Sequence, residues 1–218
     1  MRGRRRAFAA AGLVFAMGVG ASVASAQSLS IGAGVSRGTL DEFTDADRHA
    51  GFGAGGWARL EGSRWSVEAD ASFGSVSRSE DAESGSGDES LTLTAGSVHA
   101  RYAVWRTLSA EVGFRSRSLD PEFVLQDAAS ASVGLHYAAD LTSLAEVWVR
   151  GAMLPWSSFS GGGEAGVGVA VGMGVRVGRS DGRLRGVMSY GFDRLDRTVR
   201  GVDVPVQAER FEVGVEYA

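Results

Sequence analysis

Residues 210–217 alternate between two surfaces. Phe211, Val213, Val215 and Tyr217 fall on one side, and Arg210, Glu212, Gly214 and Glu216 fall on the other. Successive side chains of a strand point to opposite faces, so a strict period of two predicts a strand with one apolar and one polar face. The same alternation recurs along most of the chain. It predicts strands over 28–37, 51–61, 65–77, 91–104, 108–118, 128–139, 143–154, 164–177, 183–193 and 207–217. Gly62–Arg64, Trp105–Thr107, Asp140–Thr142 and Gly178–Gly182 are tight connections. Gly38–Ala50, Arg78–Ser90, Leu119–Asp127, Pro155–Gly163 and Arg194–Val206 are longer. Long and short alternate without a break. The expectation is an all-β fold, a closed antiparallel barrel of ten strands with eight as the alternative, both chain ends lying on the side of the tight turns.

The apolar face is sorted by depth. Trp65, Tyr102, Trp105, Tyr137 and Tyr217 fall near the tight turns, and Phe52, Phe73, Phe114 and Phe192 fall toward the long connections. Between them lie Ala69, Ala71, Ala110, Val112, Ala131, Val133 and the run Val167 to Val175. Two aromatic bands around an aliphatic one match the interfaces and interior of a bilayer. Each run reaches or approaches the ~9–11 residues with which a tilted strand crosses one. The apolar face is therefore expected to point out to lipid. A soluble periplasmic lipid-binding barrel, with the faces reversed, is the alternative.

The first residues change the picture of where the chain goes. Arg2, Arg4, Arg5 and Arg6 precede an apolar, small-residue stretch from Ala7 to Val23, followed by Ala24-Ser25-Ala26. This is the pattern of a secretory signal peptide over 1–26, cleaved to leave Gln27 first, with one domain over 27–218. The 218-residue chain has a formal net charge of −4, and losing the leader's arginines makes the remainder more acidic, which argues against a nucleic-acid partner. With Cys 0, disulfides and thiol chemistry are excluded. Gly 32 against Pro 3 is a strand-compatible glycine load, since many glycines occupy alternate positions inside the runs.

The polar face is predicted to line the lumen, because a charged side chain facing lipid at mid-depth costs about 2–4 kcal/mol. The candidate charge network is Arg59, Glu68, Asp70, Arg101, Glu111, Arg115, His136, Glu146 and Arg150. Hairpin arithmetic places Arg59 opposite Glu68, Arg101 opposite Glu111 and, with a turn centred on Leu141, His136 opposite Glu146. The expected row Arg59, Glu68, Arg101, Glu111 alternates in sign around the wall. Trp57 and Trp148 are the expected lumen plug, facing Gly32 and Gly34 on one strand and Gly172 and Gly174 on another. Gly166, Gly168 and Gly178 are read onto that same inward face. Arg176 and Arg185 are expected to form a cationic patch at the tight-turn mouth. The loop carrying His49, Asp45 and Asp47 and the acidic stretch Ser79–Ser90 read as solvated, and Pro155–Phe159 reads as an aromatic loop tip. No catalytic, metal or cofactor site is indicated.

Leader, strand grammar and aromatic bands together resemble the small bacterial outer-membrane β-barrel proteins, the broad group with porin-like, opacity-like and OmpA-like members. The resemblance covers 27–218. It implies residence in a Gram-negative-type outer membrane, contact with its lipid and lipopolysaccharide, and insertion by the barrel-assembly machinery. The function it implies is structural or surface-interacting, through the outer loops and around a largely filled, salt-bridged lumen. A narrow porin-like channel for small polar solutes is the alternative.

Overall fold

The computed structural model describes residues 28–42, 47–78, 90–121, 127–179 and 182–218. The leader over 1–26, its cleavage site, Asp45 and the acidic stretch 79–89 lie outside the described residues. The strands are β1 (Ser28–Glu42), β2 (Asp47–Glu61), β3 (Trp65–Arg78), β4 (Ser90–Ala103), β5 (Leu108–Asp120), β6 (Ala128–Thr142), β7 (Ala145–Phe159), β8 (Glu164–Ala165), β9 (Gly168–Val177), β10 (Leu184–Leu195), β11 (Arg197–Val199), β12 (Val202–Asp203) and β13 (Val206–Tyr217). Ten of them close into one barrel in the order β1-β13-β10-β9-β7-β6-β5-β4-β3-β2, and β12-β11-β8 form a small separate sheet. Every barrel neighbour is antiparallel, including the β1–β13 seam that joins the two chain ends. Closure gives each of the ten barrel strands a partner on both sides. The eight-stranded alternative is excluded.

The alternation resolves as apolar outside and polar inside. On β13, Val213 is 46% exposed, whereas Glu216 is 1% exposed. Tyr102, Trp105, Tyr137 and Tyr217 stand exposed on the outside near the tight turns, and Phe52, Phe73 and Phe114 stand exposed toward the other end. Trp65 and Phe192 are half-buried members of these bands. A soluble lipid-binding barrel would need the opposite orientation, so that alternative is overturned.

Several strands run further than the periodicity suggests: β6 continues to Thr142 at a tight turn, and the other large extensions lie at the end of the long connections (the loop end). β1 continues to Glu42 and β2 begins at Asp47, so His49 is a half-buried strand residue opposite Leu40 and not a loop residue. β7 continues through Pro155 to Phe159, which makes Pro155–Phe159 strand and not loop tip. Proline lacks a ladder donor, and Pro155 sits where it can be spared. The β6–β7 register shifts there, between Ala131 and Val133, and pairing with β9 stops at Leu154. Trp156 stacks on Phe114 with ring centroids 6.5 Å apart, extending the outer aromatic band. Conversely, the 164–177 run splits into β8 and β9.

The extended strands carry a second inward-facing layer. Leu40, Val76, Leu91, Leu119 and Val206 pack together, and Ala128, Leu154, Ala170 and Leu195 form a second cluster with Phe159 against it. Both lie toward the loop end of the lumen. They form an apolar collar above a charged interior.

Candidate functional site

At the turn end of the lumen the hub is Glu216, whose side chain is fully buried. Strand pairing sets it opposite Gly32 on β1 and Arg185 on β10. Its carboxylate accepts from Arg185 Nη2 at 2.7 Å, Arg59 Nη2 at 3.3 Å and the Trp57 indole N–H at 3.1 Å. Arg176 Nε lies 3.6 Å away. An ionised carboxylate has about four lone-pair sites, so these partners fill it. Arg176 also donates to Glu146. Arg176 and Arg185 are therefore neutralised and form no cationic patch. Sequence reasoning missed Glu216 as a site residue. Its alternation was visible, but its partners sit across the seam and across loop-joined strands, where hairpin arithmetic gives no register.

Beside the hub, Arg101 lies opposite Glu111 and donates from Nε at 2.8 Å. It also donates to both oxygens of Glu68 at 3.3 Å each. Arg59 lies opposite Glu68 in the β2–β3 register, but its guanidinium turns to Glu216 and to Glu61, 3.1 Å away. The row of alternating charge thus continues into the seam through Glu216. His136 is opposite Arg150, and Glu146 is opposite Asp140, which corrects the His136–Glu146 pairing. The turn runs through Ser143 and Leu144, between paired Thr142 and Ala145, with a register shift beside it, so the centre at Leu141 was misplaced. His136 instead stacks on Trp148 at 6.0 Å.

Higher up, two ionic crossbars span the lumen. Arg115 on β5 reaches Asp193 on β10 at 3.3 Å, and Arg117 approaches the same carboxylate at 3.8 Å. These strands are separated by β6, β7 and β9, so the contact crosses the interior. Arg210 on β13 donates to Ser72 on β3 at 3.1 Å and lies 3.7 Å from Asp70. Glu212 is 3.3 Å from Arg210.

Between the crossbars and the floor, polar groups run from Asp70 through Ser97 and His99 to Glu111. Ser97 Oγ donates to Asp70 and lies 2.9 Å from His99 Nε2. His99 Nδ1 is 3.4 Å from Glu111 Oε1. The order Ser, His, Glu has the outline of a nucleophile relay. Its protons are otherwise engaged. Ser97 gives its proton to Asp70, and Arg150 Nη1 donates to His99 Nε2 at 3.0 Å, which occupies the lone pair a general base would use. Among the described residues no cluster of His, Asp or Glu could hold a metal ion.

The two tryptophans fill space that glycines leave. A Cβ on Gly32 would overlap the Trp57 ring, and one on Gly214 would lie 2.8 Å from Trp57 Cη2. A Cβ on Gly174 would lie 2.7 Å from the Trp148 ring, and one on Gly172 3.3 Å from it. Gly168 faces inward near Leu154 and Leu195, but Gly166 lies outside the barrel strand and donates to Asp196 O at 2.8 Å, and Gly178 sits in the turn at φ 151°. Above the tryptophans the lumen is not filled. A cavity of about 260 Å³ extends up to the apolar collar. At the loop end, β8, β11 and β12 are tied down by Arg197, which donates to the Gly162 carbonyl and lies 4.8 Å over the Phe159 ring.

No family model and no curated protein matches this sequence. Solved structures do match the fold. The outer membrane protease OmpT from Escherichia coli is 9% identical with a TM-score of 0.50, covering 86% of this chain and 96% of that one. An outer membrane channel from Pseudomonas putida F1 is 15% identical with a TM-score of 0.48, covering 91% and 98%. Neisserial surface protein A is 14% identical with a TM-score of 0.42, covering 88% and 99%. The fold is that of a small bacterial outer-membrane β-barrel, and no narrower family follows.

Proposed function

We propose that this chain is exported by a cleaved leader over 1–26 and resides in the outer membrane, with its tight turns in the periplasm and its long connections outside. The barrel meets lipid and lipopolysaccharide around its wall and is inserted by the barrel-assembly machinery. Its role is structural or surface-interacting, carried by the outer loops. The observation that supports this reading most is the Glu216 hub. With Arg59, Arg176, Arg185 and Trp57 gathered on one buried carboxylate, the turn end of the lumen is occupied by side chains. A conducting pore would need that space for water and solute. A catalytic role draws no support from Ser97 and His99, because Asp70 and Arg150 hold the hydrogen bonds that nucleophile activation needs.

Membrane fractionation and planar-bilayer recording test this together. The protein is expected in the outer-membrane fraction, released only by detergent and heat-modifiable on gels, with little or no conductance. Recovery from a salt-washed periplasmic extract would overturn the location. A stable channel of large conductance would overturn the sealed turn end.

A further inference from the structure

The cavity above the tryptophans has a built polarity. Toward the loop end it is lined by Leu40, Val76, Leu93, Leu195 and Ala208. Below the collar it meets Arg115 and Arg150 on β5 and β7, with Asp70, Asp193 and Glu212 also among its lining. These two cations are under-compensated. Arg115 shares Asp193 with Arg117, and Arg150, whose Nη1 donates to His99 Nε2 at 3.0 Å, lies 3.8 Å from Glu111, a carboxylate that Arg101 already binds at 2.8 Å. Arg115 and Arg150 repel one another. The Nε donors of both and the Trp148 indole N–H are buried and have no hydrogen-bond acceptor among the described residues. A buried donor without an acceptor is costly, and the groups that relieve it are anionic oxygens.

We infer that the lumen is a binding site for a small amphipathic carboxylate, its carboxylate bridging Arg115 and Arg150 and its hydrocarbon body lying under the apolar collar. The volume suits a short chain or a single ring, below the usual ~300–1,000 Å³ of drug-sized pockets. Because the Glu216 hub fills the turn end, the ligand enters and leaves by the loop end. The site is a receptor pocket and not a stage of permeation. It stands on the cavity and on the two arginines that line it, independently of any role of the outer loops.

The test is calorimetric titration of the wild-type barrel in phosphatidylcholine nanodiscs with sodium hexanoate, against empty nanodiscs. Parallel titrations use hexan-1-ol, sodium acetate and hexylammonium chloride. Saturable binding of hexanoate, with acetate and hexan-1-ol each at least about ten-fold weaker, is the expected result. Arg115→Gln and Arg150→Gln should each weaken hexanoate by about ten-fold or more. No hexanoate binding, equal binding of hexan-1-ol, or tighter binding of hexylammonium would overturn the proposal. If the arginine variants fail to give a heat-modifiable band, the wild-type comparison among the probes decides it alone. Hexanoate binding by a barrel that conducts strongly would leave this site standing and remove only the sealed-lumen reading.

Discussion

Arg59 and Glu216 stand 157 residues apart in the chain and 3.3 Å apart in the lumen. β2 carries the first and β13 the second, with β1 between them, so the contact straddles the seam where the two ends of the chain meet.

Glu216→Ala should be among the most destabilising single substitutions in the barrel. It removes the carboxylate shared by Arg59, Arg176 and Arg185, and breaking a buried ion pair typically costs about 3–5 kcal/mol. Glu209→Ala, at a partly exposed carboxylate on the same strand, should cost under about 1 kcal/mol. Urea unfolding of the refolded barrel in lipid, followed by tryptophan fluorescence, gives both values. Equal midpoints would show that the hub carries no stability.

Arg101→Ala orphans two acids unequally. Glu111 keeps His99 Nδ1 at 3.4 Å and Arg150 at 3.8 Å, whereas Glu68 loses both of its hydrogen bonds from Arg101. A second change, Glu68→Ala, should therefore restore more of the lost stability than Glu111→Ala does. The same unfolding assay on the two double variants decides the order.

Glycines on the two faces should respond oppositely to a methyl group. Gly174→Ala drives a Cβ to 2.7 Å from both the Trp148 ring and the Met188 carbonyl, and overpacking of this kind costs about 1–3 kcal/mol. Gly151→Ala meets nothing within 4 Å and should be neutral or stabilising by up to about 1 kcal/mol, since glycine weakens a strand. Destabilisation by Gly151→Ala equal to that by Gly174→Ala would contradict this assignment of faces.

On the outer wall, spin labels at Val169, Val171 and Val213 should be relaxed by oxygen and protected from aqueous quenchers. Val171→Arg should cost about 2–4 kcal/mol in a bilayer, as for a cation at mid-depth. The reverse accessibility pattern would place these valines away from lipid.

What the sequence made legible follows from which constraints are local. Period-two alternation told the two faces of β13 apart, and the tight turns at Gly62 and Trp105 set Arg59 opposite Glu68 and Arg101 opposite Glu111. The Ser143-Leu144 turn, with its register shift, moved Glu146 off His136 because a hairpin pairing is only as accurate as the placement of its apex. Pro155 marked a loop by residue type, yet it lies in a strand because a bulge and the end of β9 leave its nitrogen no ladder partner to satisfy. Arg115 with Asp193, Arg210 with Asp70, and everything around Glu216 depend on how strands joined by long loops slide past one another. No pattern within a single run encodes that.

The position of Glu216 also links closure of the barrel to the charge balance of its lumen. It sits one residue before the end of β13, the strand that pairs with both β1 and β10. Without that strand, Arg59 and Arg176 keep Glu61 and Glu146, but Arg59, Arg176 and Arg185 lack their common anion. β13 brings that anion with it. The contact that closes the seam is thus also the one that completes the charge balance of the hub.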